Sequence, residues 1–248
     1  MRYPAERDLI ANTVGRLYRW GMLDSTGGAV SCRAPDGTIL ITSSGTSFRS
    51  WEMTASDVIA LTPDGAVVDR TSRPAASGTQ LHLAIYEHFP AAGGVVHAHA
   101  PQSLAFASLG VGVPAVTNQL DTLGEVPCLA VDDTAIKARV RTGEREVQVP
   151  EGIVARPDVH AVTVELIPQL LATLGPRAAD VQRHGLGFLI YRHGAVTLAR
   201  SLYEATENLA RIEVAARTAR YQAQLCGGLA GIRTQPLFSD RAEVVAPR

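Results

Sequence analysis

The sequence predicts a single α/β domain, on three observations. Stretches with the apolar spacing of helices alternate along the chain with short apolar runs of strand length. Of the 248 residues, 46% are hydrophobic and 19% charged, which is ample material for a core and no case for disorder. No internal repeat and no linker rich in Pro, Gly or Ser divides the chain, so one domain suffices.

Each element has its own justification. Over residues 5–22, Leu9, Ile10, Val14, Leu17 and Tyr18 recur at helical spacing on one face. Pro35, Asp36 and Gly37 form a turn between two apolar stretches, as in a β-hairpin, and the second arm, 38–42, runs into Ser43, Ser44, Gly45, Thr46 and Ser47. A strand ending in small, hydroxyl-rich residues leaves backbone N–H groups open to an anion or a ligand. Asp64 and Gly65 mark another turn, flanked by apolar residues 58–61 and 66–68. Residues 80–89 are helical by pattern, with Leu81, Ile85 and Phe89 on one stripe and Pro90 as the stop. Gly93 and Gly94 release the chain into a buried strand over 95–99. Residues 113–116 and 126–131 read as short strands, the first demoted to an edge by Pro114. The polar stretch 132–158 reads as surface structure, and a short helix follows Pro168 and ends near Gly175. Residues 187–191 form a strand leading into Arg192, His193 and Gly194. Ser201 and Glu204 make a capping box for a helix over 202–225 that buries Leu202, Leu209, Ile212 and Ala216, with Gly227 as its stop. The expected division is a domain over 1–228 and a loosely held tail over 229–248.

Charge and cysteine usage exclude several function classes. Lys and Arg number 23 against 24 Asp and Glu, a net charge of −1, so no bulk field exists to hold nucleic acid or an acidic membrane surface. Cys32, Cys128 and Cys226 are odd in number and far apart, which fits a reducing compartment without disulfides or a CxxC metal knuckle. The opening MRYPAERDLI has charges where a signal peptide needs apolar residues, and no apolar run approaches the ~18–20 residues of a membrane span. A cytoplasmic protein is expected. Lys137 is the single lysine of the chain, so any Schiff-base mechanism has one candidate, and it lies in a polar stretch remote from every other motif.

The strongest chemical signal is His97-Ala98-His99 on a strand. Side chains at i and i+2 share a face, so two imidazoles stand within reach of one divalent ion, although two strand histidines bonded to neighbours would look the same. A third ligand must come from elsewhere. His193 is the best placed, since it closes an apolar strand before Gly194; His184 is the rival but precedes its strand. His82 sits on a helix among core residues and reads as a packed histidine, while His88 and His160 have surface-like neighbours. Three imidazoles plus an open position make a catalytic site that polarises a carbonyl or activates water.

With these motifs on the page, the chain resembles the class II aldolase/adducin family, a group that includes sugar-phosphate aldolases, ribulose-phosphate 4-epimerase and methylthioribulose-phosphate dehydratase. The resemblance spans about residues 5–225 and rests on TGGAVSCR, ILITSSGTSF, RPAASGTQLHLAIYEHFPAAGGVVHAHAPQSLA and GFLIYRHGAVTLARSLYEATENLARIE, in that order. It implies an α/β/α fold with a central, mostly antiparallel sheet, and His193 as the third ligand beside His97 and His99. It also implies zinc or another divalent ion such as Mn2+, Fe2+ or Co2+, and a homotetramer with active sites between subunits. Substrate-side positions that carry over are Gly28, Ser44, Gly45 and Ser77.

Departures from the family pattern refine the expectation. The family's glutamate acid/base, counted back from His82 or His97, lands on Gly78, and counted forward from Pro74 lands on Ser77; no carboxylate lies between Asp69 and Glu87. Ala29 stands where the family has asparagine, and Ala76 where it has a serine, so two hydrogen bonds to a phosphate are lost, each worth about 1.5–3 kcal/mol. The expected substrate is therefore a small carbonyl compound other than a simple sugar phosphate. Asp121 lies one residue past the family's second carboxylate position and is the candidate catalytic residue, brought to the metal by a register shift, and Arg49 and Trp51 could meet a carboxylate or a ring. The leading reading is a metal-dependent lyase of aldolase type that cleaves or forms a C–C bond next to a carbonyl, the metal stabilising an enolate. A decarboxylase of a keto or hydroxy aromatic acid, needing only the electron sink, or a dehydratase would use the same site. A non-catalytic, adducin-like scaffold is favoured by the missing glutamate and opposed by the intact histidines.

Overall fold

The computed structural model describes residues 1–24, 27–44, 52–69, 73–149, 151–153, 156–232 and 234. Along the chain run α1 (Pro4–Arg19), β1 (Ala29–Arg33), β2 (Ile39–Thr42), β3 (Val58–Leu61), β4 (Val67–Asp69), α2 (Thr79–His88), β5 (Gly94–Ala98) and α3 (Pro101–Leu109). Then follow β6 (Cys128–Leu129), α4 (Asp133–Arg141), α5 (Pro157–Leu174), α6 (Asp180–Arg183), β7 (Leu186–Ile190), β8 (Gly194–Ala199) and α7 (Leu202–Leu225). The strands form one sheet in the order β4-β3-β2-β1-β5-β8-β7-β6. All neighbours pair antiparallel except β6 with β7.

Alternation along the strands divides the core into two layers. On β5, Val96 joins a cluster with Ile10 and Leu17 of α1, Phe106 of α3, and Leu202, Leu209 and Ile212 of α7. Its neighbour Val95 points the other way, into a cluster with Leu81 and Ile85 of α2 and Leu166 and Leu170 of α5. Helices thus cover both faces of the sheet. Each fully buried leucine, isoleucine or phenylalanine contributes about 1.5–3 kcal/mol, so neither layer is dispensable. Gly94 is dictated by packing: a Cβ there would collide with the backbone of Leu202 where α7 begins.

Several expectations need correction. Tyr18 is 36% exposed, because the buried side of α1 runs through Arg7, Ile10, Val14 and Leu17. The stretch 113–116 makes a single bridge, Val113 to Val126. The helix expected to start at Pro168 starts at Pro157 instead and carries Pro168 in its interior. Burial of Ala161, Leu166, Leu170 and Leu174 on one stripe offsets the hydrogen bond that an interior proline removes. At α7 only half of the capping box forms: Ser201 Oγ accepts from the Glu204 N–H at 3.2 Å, while the Glu204 carboxylate accepts from Arg200 Nε at 2.8 Å. Of the tail 229–248, the described part is a short 3-10 turn, Leu229–Gly231, with residues 232 and 234, and the remainder lies outside the described residues.

Candidate metal centre

Strand β5 and the turn between β7 and β8 bring three histidines together. His97 lies on β5, His99 just past its end, and His193 in the turn before Gly194. Ring centroids are 5.4 Å apart for His97 and His99, and 4.9 Å from each of these to His193. One nitrogen from each ring lies within 4.8 Å of the others. That spacing suits a shared ion, whose bonds to imidazole are ~2.0–2.1 Å long. His97 is buried, His99 half-buried and His193 exposed at the cavity mouth. His97 Nε2 and His99 Nε2 have no hydrogen-bond partner among the described residues, although both atoms are buried. Orphaned buried nitrogens are costly unless a ligand takes them up, and the donor set fits a divalent ion of the zinc class.

The environment keeps two of the rings in the neutral form that binds metal. Desolvation, followed by the neighbouring His193 and His99, pushes His97 well below the usual histidine value. His193 is lowered to about 4, first by desolvation and then by His99 and Lys137. Asp24 lies 3.5 Å from His99 Nδ1 and accepts the Gly27 N–H at 3.0 Å, so a carboxylate orients the ring with Nε2 facing its partners. Gly27 packs so closely that a Cβ would collide with the His99 ring. Arg192, before His193, has a left-handed φ of 55°, a strain of about 1–2 kcal/mol that turns the chain at the site. Its N–H is pinned by the Ala107 carbonyl at 3.0 Å, and the His193 N–H by that of Ile190 at 3.0 Å.

The triad opens into a cavity of about 460 Å³. Gly28, Ala29, Ser44, Ala76, Ser77 and Gly78 line it. Gly28 adopts φ 107°, a conformation closed to most side chains. A Cβ on Gly78 would stand 3.7 Å from His97 Nδ1, so the residue in the carboxylate's place does face the triad. The amides of Ser43 and Ser44 are not open to a ligand as expected, because they already donate to the carbonyls of Asp57 and Pro74 at 3.0 and 2.8 Å. Gly45, Arg49 and Trp51 lie outside the described residues. Asp121 is exposed and does not line the cavity.

Sequence reading missed the opposite side of the cavity. Asp133 and Lys137 of α4, Arg156 before α5, and Val159, Val162 and Thr163 of α5 also line it, so the polar stretch read as surface walls the site. Lys137, far from the other motifs in sequence, acts electrostatically on His193. Its ammonium is 2.8 Å from Asp133, whose carboxyl is lowered chiefly by that hydrogen bond. His82 is the packed histidine expected: it is fully buried, with Nδ1 2.7 Å from Ser31 Oγ, and burial lowers it to about 3.

The chain is thus a three-layer α/β/α sandwich with three clustered histidines over an open cavity, the fold of the class II aldolases. Its sequence agrees: residues 8–220 match the Class II Aldolase and Adducin N-terminal domain, and the chain belongs to that family. It is 31% identical over 217 residues to methylthioribulose-1-phosphate dehydratase of Gluconobacter oxydans (strain 621H), covering 84% of this chain and 88% of that protein. It is 30% identical over 206 residues to L-ribulose-5-phosphate 4-epimerase UlaF of Salmonella paratyphi B (strain ATCC BAA-1250 / SPB7), covering 82% and 78%. Among solved structures it resembles YgbL from Klebsiella pneumoniae, with a TM-score of 0.68 at 23% identity over 99% of both chains. It likewise resembles L-fuculose-1-phosphate aldolase from Thermus thermophilus, with a TM-score of 0.63 at 19% identity over 90% and 97%. At such identities the structural likeness speaks for the fold.

Proposed function

We propose that this chain is a divalent-metal-dependent lyase of aldolase type that makes or breaks a C–C bond next to a carbonyl. The observation that carries the reading is the triad itself: His97, His99 and His193 within ligand distance of one another, open to a cavity of about 460 Å³. These residues would hold zinc, or Mn2+, Fe2+ or Co2+, leaving a position for substrate. When bound, such an ion supplies the positive charge that stabilises a substrate oxygen as it becomes anionic. The protein's own part is to orient His99 through Asp24, to keep His97 and His193 neutral, and to shape the cavity. Asp133 is the one carboxylate lining it among the described residues, and its bond to Lys137 holds it ionised. Asp121, exposed on its own chain, would serve only in the cavity of a second copy, consistent with a homotetramer whose sites lie between subunits.

Gly28, Ser44 and Ser77 contact the substrate, joined in this proposal by Gly45 and Arg49. Ala29 and Ala76 in the lining argue for a carbonyl substrate other than a simple sugar phosphate. Gly78 favours a second reading, decarboxylation, which breaks its bond without a base at that place. No helix among the described residues is long and apolar enough to cross a membrane, and a cytoplasmic enzyme is proposed. The test is elemental analysis with turnover assays on keto acids, aldehydes and sugar phosphates. His97→Ala and His193→Ala should lose both metal and turnover; full turnover without metal would overturn the reading, and a clear preference for sugar phosphates would overturn its substrate.

A further inference from the structure

The cavity is charged out of proportion to the chain. Lys137, Arg156 and Arg192 line it against the single carboxylate Asp133 among the described residues, although the chain as a whole carries a net charge of −1. The three cations converge from separate elements, α4, the residue before α5 and the β7–β8 turn. Asp133 anchors the Lys137 ammonium at 2.8 Å, and Asp158 lies 3.3 Å from Arg156 Nε. The Arg192 side chain acts electrostatically on Asp133, and its left-handed backbone, φ 55°, is the strained point of the turn.

Val159, Val162 and Leu166 make the wall between these charges partly apolar. Asp133 and Asp158 offset two of the three cations, which leaves a surplus positive charge at the wall, and a divalent ion on the triad would add to the same field. An anion there offsets the surplus and gains charge-assisted bonds from the guanidinium forks and the ammonium. The cations belong to the His193 side of the triad, since Arg192 adjoins His193 in the β7–β8 turn and lines the same cavity, whereas Gly78 stands against His97 and Ala29 pairs with His97 across β1 and β5.

We propose that Lys137, Arg156 and Arg192 form the subsite for an anionic end of the substrate, a carboxylate or a phosphate, separate from the Gly28, Ser44 and Ser77 wall. The inference rests on the lyase reading and sharpens it: the carbonyl compound carries an acid group that the enzyme grips beside His193.

The experiment is calorimetric titration of the metal-loaded protein with pyruvate and with inorganic phosphate. Wild type is compared with Arg156→Gln, with the pair Lys137→Gln/Asp133→Asn, which removes the cation without baring its carboxylate, and with Ser44→Ala/Ser77→Ala. The cation variants should weaken binding about tenfold or more, and the serine variant less. Loss for pyruvate alone assigns the subsite to a carboxylate, and loss for phosphate alone to a phosphate. Unchanged affinity in the cation variants with metal still in place overturns the subsite and leaves the lyase reading standing, as does a wild type that binds neither probe in the millimolar range. Absence of metal from the wild type overturns the lyase reading instead.

Discussion

Gly27 and Gly78 show how single positions shape the site. Gly27→Ala puts a methyl into the His99 ring, so His99 must move, and metal content should drop well below that of wild type in elemental analysis while the fold persists by circular dichroism. Gly78 is different. Its backbone, φ −74° and ψ −4°, accepts any L-residue, and a Cβ there makes an ordinary contact with His97. Gly78→Glu should therefore fold with a stability change within about 1 kcal/mol and bring a carboxylate before the triad. A large loss of stability on urea unfolding would contradict this packing.

His82 sets a pH dependence at the same scale. The unfolded chain protonates this residue near 6.5 and the folded protein only near 3. Between these values the unfolded state binds more protons, so stability is full above 6.5 and falls as pH drops toward 3. At pH 5 the loss is about 2 kcal/mol. Urea midpoints at pH 7.5 and 5 should converge more in His82→Gln than in wild type.

The three clustered histidines were legible because their spacing and strand setting are local properties. Asp24, Asp133, Lys137 and Arg156 were not, since a polar stretch reads alike whether it faces solvent or a cavity. Only tertiary packing of α4 and α5 decides which.

Among the elements, α7 does more than cover the sheet. Glu213 is buried and accepts the N–H groups of Gln102 and Ser103 at 3.0 and 2.6 Å, capping α3 a few residues after His99. Glu213→Ala leaves two donors without their partner and should cost about 2–4 kcal/mol in denaturant unfolding, whereas Glu213→Gln keeps one acceptor and should cost less. The hairpin of β1 and β2, the helices α1, α2 and α7, and strands β5 and β7 were readable from period and turn residues. β8, which starts directly after Arg192 and His193 and runs almost into α7, has no turn residues of its own to mark it off. α3, with apolar residues on all sides, carries almost no periodic signal. α5 was cut short because a proline normally sits in a helix's first turn and not its interior, and here packing outweighs that rule.

At the scale of the whole molecule, the sheet joins the two halves of the histidine cluster, since β5 pairs with β8, whose turn carries His193, and with β1. The proposed homotetramer has a direct readout at this scale. Sedimentation velocity should give a species near four times the 26.3 kDa chain mass, and a monomer at micromolar concentration would contradict it. The most direct test of the central claim is the metal content of the purified protein beside His193→Ala. We predict about one divalent ion per chain in the wild type and a small fraction of that in the variant. Stoichiometric metal in His193→Ala, or none in a metal-replete wild type, would contradict it.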